Sequence, residues 1–166
     1  MTAAPSLPME TLEQIARRVL ASEQFGVLAT AVEGHLHTAT ILFAGTPDWE
    51  LVHVIRPATL KAQMSAVAPQ VAFQVDNRAT VAVDRTAFTR LSFEGTLRRV
   101  PRDDPLWQHY HGIFAAKFPF GATLLRSPEV DIYVLTPERV RIAVGAHPPV
   151  DVAIPPPRRT GTDSPL

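Results

Sequence analysis

The sequence predicts a mostly β protein, with six or more antiparallel strands closing into a small barrel flanked by helices. Three observations carry that reading. Apolar and polar residues alternate through several short runs, and turn-forming residues separate those runs. Few stretches show helical spacing. No G-x-G-x-x-G follows a strand and no β-α-β alternation appears, which argues against a parallel nucleotide-binding sheet. Short strands must have their edges paired, and closure into a barrel pairs them.

The elements follow in order. Met9, Leu12, Ile15, Ala16, Val19 and Leu20 recur at helical spacing, so a helix is expected over Met9–Ser22. Val27–Val32 and His35–Phe43 are strand runs joined by Glu33-Gly34, a two-residue hairpin signal. After a loop holding Gly45, Pro47 and Asp48, a third strand is expected over Glu50–Ile55. Arg56–Val67 reads as a short helical segment, with Leu60, Met64 and Val67 on one face. Gln70–Asp76 alternates as a fourth strand, and Asn77–Arg85 fits no single class.

Phe88–Arg99 is a long fifth strand, whose lone Gly95 predicts a bulge or a close backbone approach. Asp103 or Asp104 can start a second helix over Pro105–Lys117. Val130–Leu135 and Val140–Val144 are expected to pair as a closing hairpin around Thr136-Pro137-Glu138-Arg139. Residues 1–145 thus form one domain. The proline-rich stretch 146–166 is expected to be an extended or disordered tail.

Composition narrows the function. The 166 residues carry 16 basic and 16 acidic side chains, and this balance offers no broad attraction to nucleic acid or membrane surfaces. Absence of cysteine removes disulfides, thiolate nucleophiles and Cys-based metal sites. No apolar run approaches membrane-spanning length and Met1–Pro8 lacks a signal core, so a cytoplasmic protein is expected.

One cluster points to a ligand. Pro57 keeps Arg56 out of helical dihedrals, so the strand should persist to Arg56 and then turn. Thr59 fits a helix N-cap, with Lys61 two residues inside. Two cations and a hydroxyl at a helix N-terminus form an anion receptor, because free amides and the helix dipole add to the side chains. The alternative is that Thr59 simply caps the helix while Arg56 and Lys61 are solvated.

Set in order, Phe25-Gly26-Val27-Leu28-Ala29-Thr30, Gly34-His35-Leu36-His37, Thr59-x-Lys61 and Phe93-Glu94-Gly95-Thr96 form a recognisable series. It resembles the pyridoxamine 5′-phosphate oxidase-like split-barrel flavoproteins, from about Leu12 to Gly145. The Lys117-Phe118-Pro119 segment is similar too. The resemblance implies a homodimeric split barrel of the FMN-binding type, with FMN or the deazaflavin F420 at the subunit interface. Arg56, Thr59 and Lys61 would then meet the cofactor phosphate. The second strand around Thr38–Leu42, with Thr38 and Thr40, would lie beside the isoalloxazine ring. The activity implied is flavin-dependent oxidoreduction of a small molecule, with no acid or base assigned. F420-dependent reduction, or non-catalytic flavin or haem binding, is the alternative. Leu36 and Leu42 depart from the family pattern, as does the C-terminal stretch, where the residues that bind a vitamin B6 substrate are not recognisable.

Other polar residues have plainer readings. His35 and His37 share one strand face and are expected to meet solvent rather than a metal. His109 and His111 lie in an aromatic helix, where packing is the expectation and haem ligation the alternative. Arg98, Arg99 and Arg102 are expected to pair with nearby acids. Glu94 lacks an identifiable carboxylate partner.

Overall fold

The computed structural model describes residues 9–81 and 86–154. Helix α1 (Met9–Ser22) leads into the hairpin of β1 (Phe25–Val32) and β2 (His35–Leu42). Two residues with positive φ, Glu33 at 48° and Gly34 at 83°, make its turn. Both signs suit the right-handed twist of paired strands. After Phe43 come β3 (Ala44–Gly45) and β4 (Leu51–Ile55), then α2 (Leu60–Val67) and β5 (Gln70–Asp76). The long strand β6 (Thr89–Val100), helices α3 (Trp107–Lys117) and α4 (Gly121–Leu124), β7 (Asp131–Val144) and β8 (Val150–Asp151) complete the chain.

The strands run in the order β2-β1-β5-β6-β7-β4-β3, every pairing antiparallel. The two ends of that order, β2 and β3, are one stretch of chain interrupted only by Phe43. One run therefore pairs with β1 through its first part and with β4 through its last. The sheet curls back on itself as the sequence predicts.

Two apolar layers result. The barrel interior holds Leu28, Phe43, Leu51, Phe73, Phe93 and Leu135, and α1 packs on it through Leu12, Ala16, Val19 and Leu20. Phe73 is its hub, with ring centroids 5.5 Å from Phe43 and 6.5 Å from Phe93, both edge-on. The second layer lies outside, where Trp107, Tyr110, Phe114 and Phe118 cover Val52, Ile132 and Val134. Strands β4 and β7 are thus buried on both faces, which is why their sequences read as continuous apolar runs.

Three expectations change. Residues 131–144 form one strand, not a hairpin: β7 pairs with β6 from Val100↔Ile132 to Thr89↔Val144. The Thr-Pro-Glu-Arg stretch that looks like a turn is instead a bulge, with a register shift opposite Glu94/Gly95. Pro137 is tolerated mid-strand because a bulge does not need its missing N–H. Secondly, of Leu60, Met64 and Val67 only Met64 is buried, and Ala62 and Ser65 join it on the covered face of α2. Finally, the stretch expected as tail contributes β8, with Val152 donating its amide to Val140 and burying its side chain in the barrel core. Residues 82–85 of the unassigned stretch, and 155–166 of the tail, lie outside the described residues.

His53 is a fully buried polar side chain on the inward face of β4, between Leu51 and Ile55. Its Nδ1 donates to the Leu42 carbonyl at 3.0 Å, and its Nε2 meets no partner among the described residues. Burial holds its pKa at about 4 against an ordinary 6.5, so the imidazole is neutral. Between those values the unfolded chain binds the extra proton. Its contribution to stability is therefore complete above pH 6.5 and lost as pH falls toward 4. Asp151, held near 2 by Arg141 and Arg139, adds acid sensitivity only lower on the scale.

Two outcomes are expected. Urea midpoints of the wild type should fall between pH 6.5 and 4, and His53→Leu should flatten that slope. A Cβ at Gly95 would collide with the Thr136 carbonyl oxygen, so Gly95→Ala should cost about 1–3 kcal/mol in chemical denaturation.

Candidate functional site

The connection from β4 to α2 is the expected anion corner. Arg56 follows the last residue of β4 and is exposed, its guanidinium 3.9 Å from the equally exposed Glu129 carboxylate. Thr59 has extended dihedrals, φ −80° and ψ 151°, and occupies the N-cap position. Its carbonyl accepts the amides of Ala62 and Gln63 at 3.1 and 3.0 Å, as a cap residue's should. Its hydroxyl does not cap. It turns back and donates to the Arg56 carbonyl at 2.8 Å. In consequence the amides of Leu60 and Lys61 meet no acceptor among the described residues. Lys61 is half-buried in the first turn. Two free amides, a lysine and an arginine therefore gather at one helix start, which is the composition an oxyanion needs. No acidic residue occupies the first turn of α2.

Thr38 and Thr40 lie elsewhere, on the outer face of β2. Leu28 points into the barrel and is opposite Ala39, so the neighbouring pairs Ala29↔Thr38 and Val27↔Thr40 point outward. The stripe continues across β5, where Val27 is opposite Gln74 and Ala29 opposite Ala72. Thr40, Val27, Phe25 and Gln74 line a cleft of about 520 Å³ that runs down to Asp76 and Arg78. Phe25, Val27 and Leu36 are unusually exposed for apolar residues, at 55%, 38% and 83%. Such a surface is suited to being covered. The five expected residues thus form two groups. Arg56, Thr59 and Lys61 share one corner, whereas Thr38 and Thr40 belong to the outer sheet face. Helix α2 meets β1 on its inward face, where the Thr30 hydroxyl lies 3.6 Å from the Met64 sulfur.

Several polar groups settle as structure. Arg98 bonds Asp104 at 2.7 Å, Arg99 Nε bonds Asp131 at 2.8 Å, and Arg102 donates to the carbonyls of Leu125 and Ser127. The basic patch is satisfied locally, chiefly by acids. His109 is exposed and lies edge-on to Tyr110, while His111 stacks on Trp107 at 4.8 Å. His35 is exposed and His37 partly so. No group of three metal-ligating side chains occurs among the described residues.

His53 escapes a sequence reading, and Lys117 stands out in the sequence without its partners being legible. His53 hides in an apolar strand run, and only the odd-position face it shares with Leu51 and Ile55 marks it as inward. Lys117 sits at the end of α3, yet its ammonium reaches back to the carbonyls of Leu20 and Glu23 at 2.7 and 2.5 Å. It also lies 4.0 Å from the centre of the Phe43 ring. Partial burial pushes its pKa down to about 8, with Glu23 opposing that shift. Only two lysines occur in the chain, Lys61 and Lys117, and that rarity marks the residue but not its contacts.

No protein-family model matches the chain, and no curated protein matches it in sequence. Solved structures do. A haem-binding protein from Mycobacterium smegmatis superposes with a TM-score of 0.71 at 18% identity, covering 91% of this chain and 59% of its own. The chain therefore spans about three fifths of that protein. HutZ, the haem storage protein of Vibrio cholerae, gives 0.68 at 22% identity, covering 80% of this chain and 94% of its own. An FAD-binding protein from Mesorhizobium loti gives 0.63 at 16% identity, covering 78% and 90%. At these identities the likeness speaks for architecture alone, and the architecture of the chain is that of a split barrel with flanking helices.

Proposed function

We propose that this chain binds a flavin, FMN by preference, through its phosphate, and uses it as an oxidoreductase on a small molecule. The observation that carries the reading is the uncapped start of α2. A threonine in cap position turns its hydroxyl away, leaving two amides free beside Lys61 and Arg56. A phosphate there would accept from the amides and meet two cations, and each such charge-assisted bond is worth about 1.5–3 kcal/mol. Arg56 is held only loosely by Glu129, across 3.9 Å with both groups exposed, and can swing to the anion at little cost.

The ring would lie against the outer sheet face near Thr38 and Thr40, where Val27 and Ala29 offer an apolar surface. A second copy of the chain would complete the site. Phe25, Val27 and Leu36 leave an apolar patch that a homodimer would cover, excluding water from the ring. When bound, the flavin supplies the hydride or electron transfer, and the chain contributes anchoring, orientation and a dry surface. F420 is the alternative ring cofactor, because its phosphate would meet the same corner.

A second reading has specific support, since two of the structural neighbours bind or store haem. In that reading the protein is a carrier without turnover, and the exposed His109 is an available imidazole. Purified protein with flavin absorption bands supports the leading reading, whereas a Soret band supports haem. Replacing Arg56 and Lys61 together by Ala should weaken FMN binding at least tenfold, about 1.4 kcal/mol, without changing the melting temperature of the flavin-free protein. Unchanged affinity would refute the phosphate anchor.

A further inference from the structure

A separate cleft of about 740 Å³ lies between α1, β3 and the end of α3. It contains none of the residues assigned to flavin. Arg17, Leu20 and Ala21, at helical spacings of three and four, present one side of α1 to it. Ala44 lies on the β3 side, and Ile113 and Ala116 form the α3 wall. The walls are thus apolar, and the polar side chains at their edges include two cations, Arg17 and Lys117, but no carboxylate. Glu13 and Asp48 act electrostatically on Arg17, and Glu23 on Lys117, yet none of the three lines the cleft.

Both cations are pinned in place by backbone carbonyls. Arg17 donates to the carbonyls of Thr46 and Pro47 at 2.9 and 2.8 Å and stacks 3.6 Å over the Trp49 ring. Lys117 donates to Leu20 and Glu23. Those bonds use two of the five guanidinium N–H groups and two of the three ammonium protons. Each cation therefore keeps a donor while its position is already fixed, so binding an anion costs little side-chain entropy. Burial lowers the pKa of both groups, as expected of positive charge that lacks full compensation.

We propose that this cleft binds a carboxylate with an apolar body, such as a medium-chain fatty acid, its head between Lys117 and Arg17 and its tail along Leu20, Ala44 and Ile113. Volume, apolar walls and a few fixed polar groups match the usual composition of small-molecule sites. Arg17 and Lys117 both line this one cleft, Arg17 held from the β3 side and Lys117 at the C-terminal end of α1. The site is independent of the flavin reading, since its residues belong to other elements.

Isothermal titration of the full chain, in whatever cofactor state it is purified, with decanoate below its micelle concentration tests the proposal. One decanoate should bind per chain, and uncharged decanamide at least tenfold more weakly. Ala116 is exposed on α3, so Ala116→Glu should preserve melting temperature and oligomeric state while weakening decanoate at least tenfold. Lys117→Met should also weaken decanoate at least tenfold, with a lower melting temperature because Lys117 ties α1 to α3. Equal binding of decanamide would reduce the cleft to an apolar groove and overturn the proposal. So would undiminished binding to Ala116→Glu, absence of binding by the wild type, or dissociation of an oligomer by Ala116→Glu, which would assign the cleft to a second copy.

Discussion

The fold depends on one crossing. The run from His35 to Gly45 begins at one edge of the sheet and ends at the other, so the barrel exists only while that run stays bent at Phe43. The bend is held from several sides. The Phe43 amide donates to the Gln24 carbonyl at 3.2 Å, and His53 takes the Leu42 carbonyl just before it. The Phe43 ring meets Phe73 inside, while the Lys117 ammonium lies 4.0 Å from its centre. Lys117 in turn ties the C-terminal end of α1 to that of α3. A cation near the last carbonyls of a helix is worth about 0.3–1 kcal/mol, and more when partly buried. A single corner thereby joins both helices, the barrel interior and the sheet closure.

Most of the scaffold is legible in the chain because its signals are local. Helix α1 is marked by its apolar spacing, the first hairpin by Glu33-Gly34, and the bulge by the isolated Gly95. The hairpin expected over residues 130–144 fails for a non-local reason. Thr136-Pro137-Glu138-Arg139 has turn composition, but β6 runs on past it and offers a partner along the whole of β7. A bulge absorbs the proline at less cost than breaking that ladder. The return of Val150–Val152 is equally hidden, since its partner residues, Val140 to Ile142, are close in sequence but the intervening prolines suggest escape.

The candidate site was half legible. Arg56, Thr59 and Lys61 fall along the connection from β4 to α2, where Pro57 directs the turn. What the sequence could not tell is which way the Thr59 hydroxyl points, and that orientation decides whether the helix caps itself or keeps its amides for something else. Position on the outer sheet face follows from register, which depends on Leu28 facing inward. By contrast, the partners of Lys117 lie 97 and 94 residues away, and no spacing rule connects residue 117 to residues 20 and 23.

The tryptophans divide the molecule in a useful way. Trp49, at φ 68° under the Arg17 guanidinium, belongs to the barrel interior, whereas Trp107 belongs to the layer between α3 and the outside of the sheet. The chain has only these two. Each packed layer thus carries one indole fluorophore, and removing them singly gives optical probes that report separately on how the two layers come apart.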